Sequence, residues 1–165
     1  MAGENFEYDS QLWSEDEIIE NRKDLPSDIF FIEIRYRKVL QRNNLCPQER
    51  MEQPFLDEPM GPLVSKSFWV SKASMLVQYG AGADVLYDEL ASIGVPDYYI
   101  MVIVEAAYSF AKAMVADPRN SGREVLPVII AVAALKKESM YETSIIHPGN
   151  SKVDMPSTKR QRIIV

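Results

Sequence analysis

Within residues 29–40, apolar and charged residues alternate from Ile32 to Arg37. Ile32, Ile34 and Tyr36 are separated by charged residues, and a period of two residues is typical of a half-buried strand. A helix is the alternative, because Phe31 and Ile34 also fit helical spacing. We favour a strand over 29–40.

Three later stretches have the pattern of helices. Residues 83–92 precede Gly94, which can end a helix in the left-handed conformation. Asp97 is expected to cap a helix over 98–116, whose polar residues form one narrow stripe. Residues 125–135 are apolar throughout, and we expect them to form a helical hairpin with 98–116.

The first 25 residues combine acidic charge with large apolar side chains. Ser14 and Glu17 fit a capping box, and Trp13 and Ile18 fit the flanking hydrophobic staple. These signals predict a short helix over 15–24. A helix of this length is unstable alone and needs a docking surface.

The patterns together predict a mainly α fold with a central apolar hairpin; an α+β fold with one or two strands near 29–40 is the alternative. The expected organisation is an acidic arm at 1–25, an extended segment and Pro-rich linker at 26–62, a helical domain at 63–146 and a flexible basic tail at 147–165. Two nearly all-apolar helices need more cover than this chain offers, so we expect a homo-oligomer.

Charge is concentrated at the start of the chain. Residues 1–25 hold eight acidic and two basic side chains, which accounts for the whole net charge of −6. An acidic segment is repelled by phosphate backbones and attracted to basic protein surfaces. Generic nucleic-acid binding through this end is therefore not expected.

Composition excludes several classes of protein. One Cys and one His supply neither a disulfide framework nor a four-ligand zinc site, and we expect no metal or cofactor. No signal-peptide pattern is present, and Glu105 and Lys112 make a membrane span over 98–116 unfavourable. We expect an intracellular, cytoplasmic protein, or a nuclear one if the basic cluster at 159–162 is an import signal.

Candidate catalytic residues are few. His147 and Cys46 fit loop positions, and Glu105 fits a solvated helix stripe better than a buried base. The glycines at 80–84 lack the remaining residues of a phosphate-binding loop, so we expect a flexible turn there. A non-enzymatic protein is the expectation.

The acidic arm is the best candidate for partner binding. An acidic, aromatic segment too short to fold alone is typical of a segment that folds on a partner. The residues expected to enter a groove are Phe6, Trp13, Ile18 and Ile19. Docking of the arm on its own domain is the alternative.

We therefore expect an assembly subunit that self-associates through its helical core and binds protein partners through its two ends. No motif identifies a family. The alternative is a nucleic-acid-associated regulatory or structural factor that uses basic contacts. Those contacts would be Arg35, Arg37, Lys38, Arg42, Lys159, Arg160 and Arg162.

Overall fold

The computed structural model describes residues 5–41 and 58–137. Within these ranges lie five strands, Glu7–Trp13 (β1), Ile29–Gln41 (β2), Glu58–Pro59 (β3), Val64–Ser71 (β4) and Val125–Lys137 (β5). The helices are Lys72–Met75 (α1), Ala81–Ser92 (α2) and Asp97–Ala116 (α3), with 3₁₀ turns at Asp16–Ile19 and Pro118–Asn120.

The fold class is α+β, so the prediction of a mainly α protein with a helical domain is wrong. The error lies at 125–135, which forms strand β5 and not the second helix of a hairpin. Its residues from Leu126 to Ile130 are all buried. A strand buried on both faces is apolar throughout and loses the alternation that marks a half-buried strand.

The strands form one mixed sheet in the order β1-β5-β2-β3, with β4 also paired to β2. β2 pairs antiparallel with β4, from Ile29↔Ser71 to Tyr36↔Val64. The Ile29 N–H donates to the Glu124 carbonyl at 2.9 Å. This bond joins the residues at which β2 and β5 begin, so these two strands run parallel. The strand predicted over 29–40 is confirmed as β2.

The chain forms two compact units. The larger comprises Tyr8–Tyr36 and Leu63–Ala133 and contains all three helices. Its core includes fully buried residues of β2, α2, α3 and β5, among them Phe30, Ile32, Leu86, Leu90, Ile100, Ile103, Ile129 and Ile130.

Helix α3 confirms the predicted helix over 98–116 and buries one face only. The buried residues recur at helical spacing: Ile100, Ile103, Val104, Ala107, Ala111 and Met114. Pro96 is the N-cap, so the prediction that Asp97 caps the helix is wrong by one residue. The predicted turn at 80–84 is also wrong, because α2 begins at Ala81.

The helix predicted over 15–24 is replaced by the 3₁₀ turn Asp16–Ile19. The Ser14 hydroxyl donates to the Pro127 carbonyl at 2.7 Å, and the N-cap residue, Glu15, makes no side-chain capping bond to the turn. Trp13 ends β1, and its indole N–H donates to Glu15 at 3.2 Å. A tertiary hydrogen bond therefore engages Ser14, and strand β1 takes up Trp13, two of the four residues on which the local helix signal depended.

The smaller unit comprises Met1–Glu7, Arg37–Pro62 and Ala134–Val165. In its described part β3 pairs with the end of β2 through Val39↔Pro59, and the Met60 N–H donates to the Lys38 carbonyl at 2.9 Å. Lys137 lies 3.5 Å from the Glu7 carboxylate. These contacts hold the described strand ends of this unit together.

Candidate functional site

The first turns of α3 present large apolar side chains to solvent. Tyr98, Met101 and Val102 are 66%, 41% and 52% exposed. They lie one to four residues apart, so helical spacing puts them on one side of α3, away from the buried face. Tyr79, which is 55% exposed, lies beside them. We call these four residues the α3 face.

Tyr79 is held in an uncommon backbone conformation. Its φ of 57° lies in the left-handed region, which bulky residues rarely adopt. Its hydroxyl donates to the Glu105 carboxylate of α3, and this hydrogen bond is the main cause that raises the Tyr79 pKa. The loop before α2 thus fixes an exposed aromatic ring against α3, at a backbone cost of roughly 1–3 kcal/mol.

Aromatic contacts anchor the start of α3 to β1. The ring of Tyr8 stacks on Tyr99 at 5.4 Å and meets Tyr98 edge-on at 6.2 Å. The Ser10 and Tyr99 hydroxyls are 2.8 Å apart. Burial, followed by repulsion from Tyr36 and Tyr98, raises the Tyr8 pKa. These contacts fix the position of the exposed Tyr98 ring.

A groove of about 520 Å³ lies at the other end of α3. It is lined by Ser14, Asp16, Phe110, Ala113, Met114, Asp117, Arg119, Asn120 and Arg123. Three of these residues are apolar, Phe110, Ala113 and Met114, and the others are polar or charged, a combination that can accept a small ligand.

The charged groups of this groove pair with one another. Arg119 contacts Asp117 at 2.7 Å, and Arg123 contacts Asp16 at 2.8 Å. The Arg119 hydrogen bonds lower the pKa of Asp117 and raise that of Arg119. The Asn120 amide donates to the Met114 carbonyl at 2.9 Å. The rim is therefore neutral and satisfied internally, as expected of a structural joint between the arm and α3.

The predicted partner-binding residues of the arm contact their own chain. Trp13, Ile18 and Ile19 are half-buried in the larger unit. The Arg35 guanidinium lies 6.0 Å from the Trp13 ring. Phe6 is half-buried in the smaller unit, with the Lys38 ammonium 5.4 Å from its ring. The arm has the docked arrangement that the sequence left as an alternative.

Among the described residues, three predicted basic contacts lie on β2, and they do not all share one face: Arg35, Arg37 and Lys38. Arg35 pairs with Glu33 at 2.6 Å and lies 4.0 Å from Glu15. Arg37 and Lys38 are both exposed but are neighbours on a strand, where successive side chains point to opposite faces. The other predicted basic contacts, Arg42, Lys159, Arg160 and Arg162, lie outside the described residues.

Of the three candidate catalytic residues, Glu105 alone lies in the described part of the chain. Glu105 is exposed and does not line the groove. Cys46 and His147 lie outside the described residues. Within 5–41 and 58–137, no three His, Cys, Asp or Glu side chains are grouped so that they could hold a metal ion.

Helix α3 is the one described helix that is long and apolar enough to cross a bilayer. That criterion rests on length and composition, which the core helix of a soluble protein can share. The prediction that 98–116 is not a membrane span stays a prediction.

Sequence reasoning missed the α3 face because it treated the whole apolar circumference of 98–116 as core. It identified Glu105, Ser109 and Lys112 as the solvated stripe, and all three are exposed. The signal that could have found the face is that Tyr98, Met101 and Val102 continue this stripe towards the start of the helix.

No family model, no curated protein and no solved structure matches this chain.

Proposed function

We propose that this protein is a non-enzymatic assembly subunit that self-associates through the α3 face. The observation that supports the proposal is the exposed apolar cluster of Tyr79, Tyr98, Met101 and Val102. Tyrosine side chains offer roughly 150–250 Å² each. The cluster therefore approaches the 300–600 Å² patches that often mark interaction sites.

A second copy of the chain is the occupant that fits this face best. Two acidic residues lie at its edge, Asp97 and Glu105. Their carboxylates accept hydrogen bonds from Tyr87 and Tyr79, respectively, and the face itself carries no charge. A two-fold interface needs one self-complementary patch on each copy. The aromatic and methionine side chains found here are also enriched at the centres of protein interfaces.

A charge placed at the centre of the face tests the proposal. Val102→Glu would bury a carboxylate at the interface, so we expect the solution mass to fall by one association step. Light scattering across a concentration series measures this, and circular dichroism checks that the variant folds.

Val115→Glu is the matched control. Val115 is 43% exposed on the same helix, about 20 Å further along its axis. The same substitution there should leave the solution mass unchanged. A Val102→Glu variant with the mass of the wild type would overturn the proposal.

A further inference from the structure

Strand β4 is an edge strand with an open side. It pairs with β2, and no other strand in the described part of the chain pairs with it. The opposite edge strand, β1, exposes the acidic residues Glu7 and Asp9. Charged side chains on an edge oppose pairing with another strand. The single charged residue of β4, Lys66, is ion-paired with Glu89 at 2.6 Å.

The hydrogen-bonding direction of β2 shows which groups of β4 face the open side. The Ile29 N–H points to β5 and the Asp28 carbonyl accepts from Lys72. Backbone groups alternate along a strand, so the odd-numbered residues of β2 point to β5. Their partners on β4 form the non-hydrogen-bonded pairs. Ahead of Ser71, which caps α1, three β4 residues therefore direct both N–H and C=O away from β2: Ser65, Ser67 and Trp69.

We infer that β4 pairs antiparallel with β4 of a second copy, centred on Ser67. This register brings all three outward-facing residues into hydrogen-bonded pairs. Ser67 pairs with Ser67 of the second copy, and Ser65 of each copy pairs with Trp69 of the other. Trp69, which is 50% exposed, then lies opposite the small Ser65 side chain.

Electrostatics also favours a second copy as the occupant. In this register Lys66 lies opposite Phe68 of the second copy, so no like charges face each other across the interface. The neutral edge therefore accepts an identical edge, whereas two β1 edges would bring carboxylates together.

This interface is separate from the α3 face and goes beyond the proposed function. Two different two-fold interfaces on one protomer would link copies beyond a dimer. A single substitution at either interface should leave dimers that form through the other.

Ser67→Pro in the Val102→Glu background tests the β4 interface. The Ser67 N–H points away from β2, so proline removes no hydrogen bond of the β2–β4 ladder. Two bonds across the new interface are lost, and we expect dimerisation to weaken about tenfold or more. The matched Ser67→Ala substitution keeps the N–H and should leave Val102→Glu dimeric in light scattering. Trp69→Lys is a second variant that places a charge on the edge and leaves the backbone unchanged.

Each outcome decides between the interfaces. A Val102→Glu protein that is already monomeric, or that keeps its dimers after both Ser67→Pro and Trp69→Lys, would overturn the β4 inference. Hydrogen exchange at the Ser67 amide adds a test at dilutions where the protein is monomeric. If the amide stays protected there, its own chain covers the β4 edge, and the β4 inference is overturned. If Val102→Glu has the same solution mass as the wild type, the α3 face is not an interface, and the β4 inference is unaffected.

Discussion

Gly82 lies in the first turn of α2, where the backbone of α1 approaches it closely. A Cβ atom at this position would lie 2.8 Å from the Met75 Cα and 2.9 Å from the Met75 nitrogen. Both atoms belong to the backbone and cannot move aside as a flexible side chain could. The sequence showed a Gly-rich segment and predicted a turn, because no local pattern reveals that a second helix packs there.

Gly82→Ala should lower the free energy of unfolding. Alanine gains about 1 kcal/mol of helix propensity over glycine. Overpacking costs roughly 1–3 kcal/mol, so we expect the free energy of unfolding to fall by about 1 kcal/mol, and by no more than roughly 2 kcal/mol. Denaturant unfolding measures it. The control is Ala91→Gly at an exposed position of the same helix, which should show the effect of helix propensity alone. A Gly82→Ala protein more stable than the wild type would contradict the close approach of the two backbones.

Glu105→Gln should lower the pKa of Tyr79 towards its ordinary value. The hydrogen bond to the carboxylate is the main cause of the raised pKa. The Tyr79 ring is exposed, so burial contributes less to the shift than this bond. Because the folded pKa is raised, any stabilisation from this bond is complete below the ordinary tyrosine pKa and is lost as the pH rises through the folded pKa.

Ultraviolet titration of tyrosinate absorbance follows this change, with Tyr79→Phe identifying the contribution of Tyr79. A Tyr79 titration that is the same in Glu105→Gln and in the wild type would show that the two side chains do not interact in solution.

Among the elements, β2 and α3 were predicted to within one residue at each end. α3 buries one face and so keeps its period. β2 is buried on both faces from Ile29 to Ile32, but apolar and charged residues alternate from Ile32 to Arg37. β5 was not predicted as a strand, since burial on both faces removes the alternation of polar and apolar residues. Pro127 and the β-branched residues Val125, Val128, Ile129 and Ile130 are the signals that favour a strand there. The helix predicted in the arm is absent for the opposite reason: its local helix signal was complete, but tertiary contacts overrode it.

Trp13→Ala tests whether the arm belongs to the folded unit. Truncating a fully buried tryptophan to alanine lowers the free energy of unfolding by about 3–5 kcal/mol. Trp13 is half-buried beside Arg35, so we expect the free energy of unfolding to fall by about 1–2 kcal/mol. Thermal or denaturant unfolding measures the loss.

Glu17→Ala is the control for Trp13→Ala, because Glu17 is an exposed acidic residue of the same segment. Its effect should lie within about 0.5 kcal/mol. Equal stability of Trp13→Ala and the wild type would mean that the arm is free in solution and available to a partner, as the sequence first suggested.

At the scale of the whole molecule, the two hypotheses for self-association respond to salt in opposite ways. One is a head-to-tail contact between copies, which the opposite charges of the acidic arm and the basic tail permit and which salt would screen. The α3 face is apolar, and association through it should persist or strengthen at high salt, most clearly with sulfate. The sequence argument for self-association rested on a helical hairpin that needed more cover than one chain offers. That hairpin does not exist, because 125–137 is a strand, and the exposed apolar residues of α3 now support the proposal.

The most direct measurement is the solution mass of the wild-type protein over a concentration series at low and high sulfate. The account predicts a mass that rises above the 18.8 kDa of one chain with increasing concentration and does not fall when sulfate is added. A mass of one chain at every concentration would contradict the assembly function, and an oligomer that dissociates in sulfate would place the contact on charged residues and not on the α3 face.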